Sequence, residues 1–160
     1  MKQISAKDAL VRLETLCARS EQSTGEAREK LRRWGILSAD AEKIIDSLVD
    51  RRFIDNARFA RAFARDKIRF SKWGRIKVSQ KLREKGVGRD TIAEAMDEFD
   101  DEEYKSILAD VLASRMRRDP GLIESYEGRT ALYRFLLSRG FESQLAAAAI
   151  RAAKASMEME

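Results

Sequence analysis

Histidine is absent from this sequence of 160 residues, and cysteine and proline each occur once. Without histidine there can be no Ser-His-Asp triad, no imidazole base and no histidine-ligated metal. The lone Cys17 cannot form an intrachain disulfide, and we expect it to pack as a small apolar side chain. An enzyme would be left with lysine, tyrosine and carboxylates. We therefore expect no catalytic residue, no metal and no cofactor.

Nucleotide-binding loops and export signals are missing as well. The sequence has no G-x-x-x-x-G-K-S/T loop, and Gly86-Val87-Gly88 lacks the third glycine of a dinucleotide-binding motif. Residues 1–8 are charged and precede an amphipathic pattern, which is not typical of a signal peptide. No apolar run approaches the roughly 18 residues of a membrane span. We expect a soluble, cytoplasmic monomer.

Charge is distributed very unevenly along the chain. Residues 51–89 carry 14 basic and three acidic side chains, a net charge of +11. Residues 90–110 carry one basic and nine acidic side chains, a net charge of −8. A basic segment followed by an acidic one indicates a polyanionic or acidic partner.

Apolar residues recur at three- and four-residue steps almost throughout, which predicts an all-α fold. Gly35, Gly86 and Gly140 are expected to end helices in the left-handed conformation. Pairs with capping-box spacing, Ser23 with Glu26 and Asp100 with Glu103, predict helix starts, as do Ser38 and Asp55 as simple N-caps.

The three glycines also reveal a repeat. Each follows a leucine by four residues and precedes an apolar residue: Leu31 to Ile36, Leu82 to Val87, and Leu136 to Phe141. A period of about 50 residues predicts three tandem three-helix repeats, about nine helices in all. We place the repeats at residues 1–52, 53–98 and 99–160, with an insertion near 117–125 in the third. The alternative is one irregular helical domain with chance matches.

An arginine stripe is the sharpest candidate for function. On a helix near residues 56–70, Arg58, Arg61, Arg65 and Arg69 fall on one face, while Phe59, Phe63 and Phe70 cluster on another. Guanidinium groups suit bidentate binding of phosphate or carboxylate. The alternative is a solvated basic face.

The residues that follow extend the basic surface. Lys72, Arg75, Lys77 and Lys81 continue it, and Trp73 either stacks on a nucleic-acid base or, as we favour, packs between helices. The acidic run of residues 97–103 suits a helix N-terminus better than a metal site or paired catalytic carboxylates. It is also a candidate competitor for the basic segment, in which case removing its charges should tighten anion binding.

Two stretches of this sequence resemble the RecX proteins, bacterial regulators of the RecA recombinase. One is Leu48 followed by Phe53-Ile54-Asp55-Asn56-Ala57-Arg58-Phe59-Ala60. The other runs Trp73-Gly74, Lys77-Val78, Leu82 and Lys85-Gly86-Val87. The pattern extends upstream through Ser23, Glu26, Leu31 and Gly35. Asn56 is a departure, because many members carry a second acid there.

The resemblance implies three tandem three-helix repeats in an elongated, curved array and a role other than catalysis. It implies binding to the RecA–DNA filament and inhibition of RecA's recombinase, ATPase and coprotease activities. Asp55, Phe59, Gly74 and Gly86 are then structural. Our candidate partner- and DNA-binding residues, called the candidate cations below, are Arg58, Arg61, Arg65, Arg69, Lys72, Arg75, Lys77 and Lys81.

A second functional class uses the same residues. A generic basic helical protein would bind single- or double-stranded DNA, or RNA, without any specificity for RecA. Its affinity would fall steeply with salt, by a log–log slope of about −0.9 per phosphate neutralised on duplex DNA.

Overall fold

The computed structural model describes residues 4–159, which form nine α-helices and no β-strand. The prediction of an all-α fold with about nine helices is confirmed. A π-helical segment, Asp66–Phe70, continues α4, and a 3-10 helix, Pro120–Glu124, lies where the insertion was predicted. The helices are α1 Ala6–Arg19, α2 Thr24–Arg33, α3 Ser38–Asp50, α4 Asn56–Arg65, α5 Arg75–Glu84, α6 Arg89–Met96, α7 Asp101–Arg118, α8 Tyr126–Ser138 and α9 Ser143–Glu158.

The described chain divides into two compact units. The first unit comprises residues 4–63 and 81–95, and the second comprises residues 64–80 and 96–159. The helices also follow the predicted order of three successive sets of three along the sequence. The repeat boundaries at residues 52 and 98 stay a prediction.

Three helices end in the same local structure. Gly35, Gly86 and Gly140 have φ angles of 79°, 83° and 96°, which a glycine adopts without steric cost. Each helix closes with a Schellman pair of hydrogen bonds. In α2, for example, the N–H of Ile36 donates to the carbonyl of Leu31 and that of Gly35 to Arg32. The predicted glycine C-termini are confirmed.

The helix starts follow the predicted caps with one exception. Ser23 and Glu26 form a complete capping box. The carboxylates of Asp55 and Asp100 accept the N–H groups of the residues three positions on, at 3.0 and 2.7 Å. Ser38 as an N-cap is wrong, because α3 begins at Ser38 itself and Leu37 precedes it without a side-chain cap.

The core of the first unit is built from small and branched residues of α1, α2 and α3. Leu13, Leu31 and Leu48 are completely buried, and Ile54 closes the cluster. Cys17 packs against it, partly buried, and this burial raises the pKa of its thiol. The predicted packing role of Cys17 is confirmed.

The second unit is held together by α7, α8 and α9, which pack pairwise on one another and on the 3-10 helix. Tyr104 and Phe141 are fully buried, with ring centroids 5.7 Å apart. Leu108 of α7 and Leu132 and Leu136 of α8 are buried as well.

Gly74 lies where the first turn of α5 meets the end of α8. Its N–H donates to the carbonyl of Arg139 at 2.7 Å, and a Cβ atom at this position would lie 2.1 Å from the carbonyl carbon of Gly140. In the first unit Gly25 repeats this approach, with its N–H 3.1 Å from the carbonyl of Lys85. No larger residue fits at either position, so the structural role expected for Gly74 is confirmed.

Candidate partner-binding surface

The arginine stripe starts on α4 and is interrupted by a change of helix type. After Arg65 the backbone becomes π-helical, and the N–H of Ser71 donates to the carbonyl of Asp66. A π-helix turns fewer degrees per residue than an α-helix, so it shifts the faces that follow. Phe70 therefore does not join Phe59 and Phe63 as predicted. It is 80% exposed, and Ile68 is buried instead.

Arg58 is anchored inside the first unit. Its Nε atom donates to Glu21 at 2.7 Å, and its Nη2 atom reaches the carbonyls of Arg52 and Phe53 at 3.2 and 3.3 Å. The bond to Glu21 raises the pKa of the guanidinium. Arg52 has a φ angle of 64°, so Arg58 holds a backbone turn of high energy in place.

Arg65 and Arg69 share one acidic partner in the second unit. Arg65 donates to both carboxylate oxygens of Glu98. Arg69 lies 3.8 Å from the same carboxylate and 3.1 Å from that of Glu103, and its guanidinium covers the ring of Phe99 at 4.7 Å. The acidic run thus neutralises part of the stripe within the folded chain.

Arg75 belongs to a partly buried hydrogen-bond network around the buried Tyr104. Its Nε atom donates to Glu142 at 2.8 Å, and its guanidinium lies 3.8 Å from the ring centroid of Tyr104. The Tyr104 hydroxyl accepts the backbone N–H of Arg75 and donates to Glu142. Burial, followed by the bond to Glu142, raises the pKa of Tyr104. The neutral hydroxyl is therefore the donor at neutral pH.

The other candidate cations are held less tightly. Lys72 lies 3.6 Å from Asp110, Lys81 lies 3.5 Å from Glu84, and the Lys77 ammonium covers the ring of Trp73 at 4.2 Å. Arg61 is exposed and, among residues 4–159, has no ion pair or hydrogen bond. Of the arginine stripe, Arg61 is the side chain most available to a partner.

These contacts change the interpretation of the basic segment. The structure brings Arg65 and Arg69 together around Glu98, whereas Arg75 is tied to Glu142 and Arg58 to Glu21. The acidic run has two roles: Asp100 caps α7, as expected, and Glu98 and Glu103 pair with arginines. Trp73 lies under Lys67 and Lys77, 4.9 and 4.2 Å from its ring centroid.

Sequence reasoning missed two features. One is the exposure of Phe70, which only the π-helical segment explains. The other is a cluster of cations at the end of α7 and α8, for which the R-M-R-R run of residues 115–118 is the one sequence signal. That cluster comprises Arg115, Arg117, Arg118 and Arg139.

No helix within residues 4–159 is long and apolar enough to cross a membrane. A family model described as RecX, second three-helix domain, matches residues 55–96. Regulatory protein RecX of Prosthecochloris aestuarii is 34% identical over 125 residues, covering 78% of this chain and 79% of the relative. The chain belongs to the RecX family. Regulatory protein RecX of Halorhodospira halophila is 30% identical, covering 93% of this chain and 88% of its own.

Solved structures of RecX proteins share the fold. A crystal structure of RecX from Lactobacillus salivarius superposes with a TM-score of 0.79 at 18% identity, covering 92% of this chain and 95% of the other. A crystal structure of another regulatory protein RecX has a TM-score of 0.76 at 21% identity, covering 88% of this chain and 68% of the other. The helical repeat fold is therefore that of the RecX family.

Proposed function

We propose that this chain is a non-enzymatic, cytoplasmic regulator that binds the RecA–DNA filament and inhibits RecA's recombinase, ATPase and coprotease activities. The observation that carries the proposal is its RecX family membership, together with the position of the candidate cations. All eight lie within residues 55–96, the segment that the family model matches. We further propose that the chain acts as a monomer with the repeat boundaries predicted above.

The arginine contacts support a partner that offers carboxylates. Arg65 already binds a carboxylate of this chain in forked geometry, and the Nε atom of Arg58 donates to both oxygens of another, so an acidic protein surface can replace those partners without moving the helix backbone. A filament groove offers acidic protein side chains and DNA phosphates together. Exchange of Glu98 for an external anion is the step that would release Arg65, whereas Arg69 would also have to leave Glu103.

Phe70 adds an apolar anchor to the proposed surface. It is 80% exposed and follows Arg69 directly. Aromatic and arginine side chains contribute most of the binding energy at protein interfaces. We therefore include Phe70 with the eight candidate cations as a contact to RecA.

RecA's single-strand-dependent ATPase rate tests the proposal. The protein is titrated from far below to equal stoichiometry with RecA, and we expect inhibition at a small fraction of the RecA concentration. Arg61→Glu should raise the half-inhibiting concentration by about tenfold, because one charged contact contributes about 1.4 kcal/mol or more. Arg83→Glu, an exposed arginine of α5 without an ion pair among residues 4–159, is the control with the same charge change.

A charge-neutral variant tests the paired part of the stripe. Arg65→Gln combined with Glu98→Gln removes the ion pair without leaving a lone carboxylate, and it should weaken inhibition if Arg65 contacts the filament. If these variants and Phe70→Ser inhibit RecA like the natural protein, the residue assignment is wrong. If the natural protein itself inhibits at no ratio yet binds bare DNA in a salt-sensitive way, it is a generic nucleic-acid-binding protein.

A further inference from the structure

A concave pocket of about 520 Å³ lies in the second unit, apart from the arginine stripe. The last turns of α7 and the end of α8 form its wall, with Lys72 and Phe135 beside them. The wall carries one carboxylate, Asp110, and five cationic side chains: Lys72, Arg115, Arg117, Arg118 and Arg139. The pocket therefore has a strongly positive potential.

Of these five cations, only Lys72 forms an ion pair within the described chain. Lys72 lies 3.6 Å from Asp110, whose side chain is 64% exposed, and the Arg115 guanidinium lies 5.9 Å from the centroid of the Phe135 ring. Arg117 and Arg118 are exposed and have no ion pair or hydrogen bond among the described residues. In this respect the pocket differs from the stripe, where Arg58, Arg65 and Arg69 are paired.

Arg139 organises one side of the pocket. Its Nη2 atom donates to the carbonyls of Ser71 and Lys72 at 2.6 and 3.4 Å, which holds a turn in which Lys72 has a φ angle of 57°. Its Nε atom is buried and has no acceptor within the described chain. Buried donors are almost always paired in folded proteins, and Arg139 is a lining residue with a buried donor that no described group accepts.

We propose that this pocket binds a phosphate group of a single-stranded nucleic acid. Several guanidinium groups around one cavity match the oxygens of a phosphate. The Phe135 ring lies on the same wall, and an unpaired base next to the bound phosphate can stack on an aromatic ring. A purely acidic peptide such as polyglutamate would use the cations but has no aromatic group to stack on the ring. This site does not depend on RecA or on the arginine stripe.

Binding of a labelled single-stranded oligothymidine to the full chain, without RecA, tests the proposal by fluorescence anisotropy. Arg117→Glu combined with Arg118→Glu should weaken binding by about tenfold or more and reduce the log–log salt slope by about 0.7, as expected for one lost contact to a single-strand phosphate. The matched control is Arg134→Glu combined with Arg151→Glu. These are exposed arginines of the same unit that do not line the pocket and change the net charge equally.

Asp110→Asn makes the pocket more positive, whereas the arginine substitutions make it less so. It removes the one carboxylate of the pocket and releases Lys72, so it should tighten oligothymidine binding severalfold. Thermal unfolding of every variant tests whether the fold is kept. Because RecA is absent from this test, its failure would not count against the proposal that the chain binds RecA. Failure of the RecA ATPase test would likewise not count against the pocket.

Three results would overturn the proposal. The pocket and control variants could weaken binding equally, which would indicate general attraction by net charge. A polyglutamate peptide could bind as tightly as oligothymidine with the same dependence on Arg117 and Arg118, which would assign the pocket to an acidic protein. Inorganic phosphate could bind while the oligonucleotide does not, which would indicate a small-anion site.

Discussion

Two groups of arginines in the second unit have the same charge and different surroundings. Arg65, Arg69 and Arg75 lie against the carboxylates of Glu98, Glu103 and Glu142. Arg117 and Arg118 are exposed without such partners in the described chain. A high density of basic residues in a sequence thus does not show where positive charge remains available. The availability of each arginine depends on which carboxylates lie next to it in the folded structure.

The largest effect is expected where the pairing is most buried. Glu142→Ala removes the acceptor of the buried Tyr104 hydroxyl and the partner of Arg75. Because both groups lose a hydrogen bond to a charged group, we expect a loss of about 2–3 kcal/mol in unfolding free energy. This corresponds to a fall of about 5–10 °C in Tm. Calorimetry measures it.

Glu124→Ala is the control for that substitution, because Glu124 is exposed and has no ion pair within residues 4–159. Its Tm should stay close to that of the natural protein. Equal Tm values for the two variants would mean that the Arg75 network contributes no more than a surface contact.

A helix cap should give a smaller and pH-dependent effect. The N–H of Arg58 lowers the pKa of Asp55 from its ordinary value of 3.8. The ionised cap therefore stabilises the fold fully above pH 4, and its contribution is lost as the pH falls through the lowered pKa. Asp55→Ala should cost about 1 kcal/mol at pH 7.

Below pH 4 the difference in unfolding free energy between Asp55→Ala and the natural protein should shrink. Asp55→Asn is the control, because asparagine caps helices about as well as aspartate and does not titrate. Urea unfolding from pH 7 to pH 3 measures all three proteins. A difference that stays constant over this range would contradict the assignment of the cap to the ionised carboxylate.

The ion pairs of Arg65 and Arg69 with Glu98 are partly exposed. Removing them should change the unfolding free energy less than removing the Asp55 cap does, and should change filament binding more. Glu98→Gln removes the shared partner of Arg65 and Arg69, and exposed ion pairs contribute less than about 1 kcal/mol. Arg65, which has no other carboxylate partner among the described residues, is released, whereas Arg69 keeps Glu103, and the variant should bind RecA filaments severalfold more tightly. Glu94→Gln, at an exposed position of α6, has the same charge change. Unchanged filament affinity for Glu98→Gln would reject competition by the acidic run.

The smallest effect on stability is expected for the unpaired arginines. Arg117→Gln combined with Arg118→Gln should change the unfolding free energy by no more than about 0.5 kcal/mol, as is usual for exposed positions. Urea unfolding measures it. A loss as large as that of Glu142→Ala would show that these side chains support the fold and would remove the contrast between the two groups.

Local signals in the sequence predicted much of the fold. Helix ends depend on interactions within a few residues, so the sequence alone shows the spacing that they need. This applies to the glycines that end α2, α5 and α8 and to the caps at Ser23, Asp55 and Asp100. The end of α3 escaped this reasoning, because Arg52 occupies the left-handed position where glycine is typical. The π-helical segment escaped it too, since the angle of 100° per residue assumes an unbroken α-helix.

The candidate surface was less predictable, because tertiary contacts determine which charges remain. The eight candidate cations lie in one segment and were found by local charge alone. Their acidic partners are distant: Arg65 meets Glu98, and Arg75 meets Glu142, 67 residues away. The concave pocket of the second unit likewise joins Lys72 to Arg139, which no local pattern connects.

The most direct test of the account compares two affinities at one salt concentration: that of the natural chain for single-stranded DNA coated with RecA, and that for the same DNA bare. We predict filament binding at least about tenfold tighter, since the filament offers acidic protein surface and phosphate together and each factor of ten equals about 1.4 kcal/mol. Equal affinities for coated and bare DNA, falling together as salt rises, would contradict the proposal that RecA is the partner.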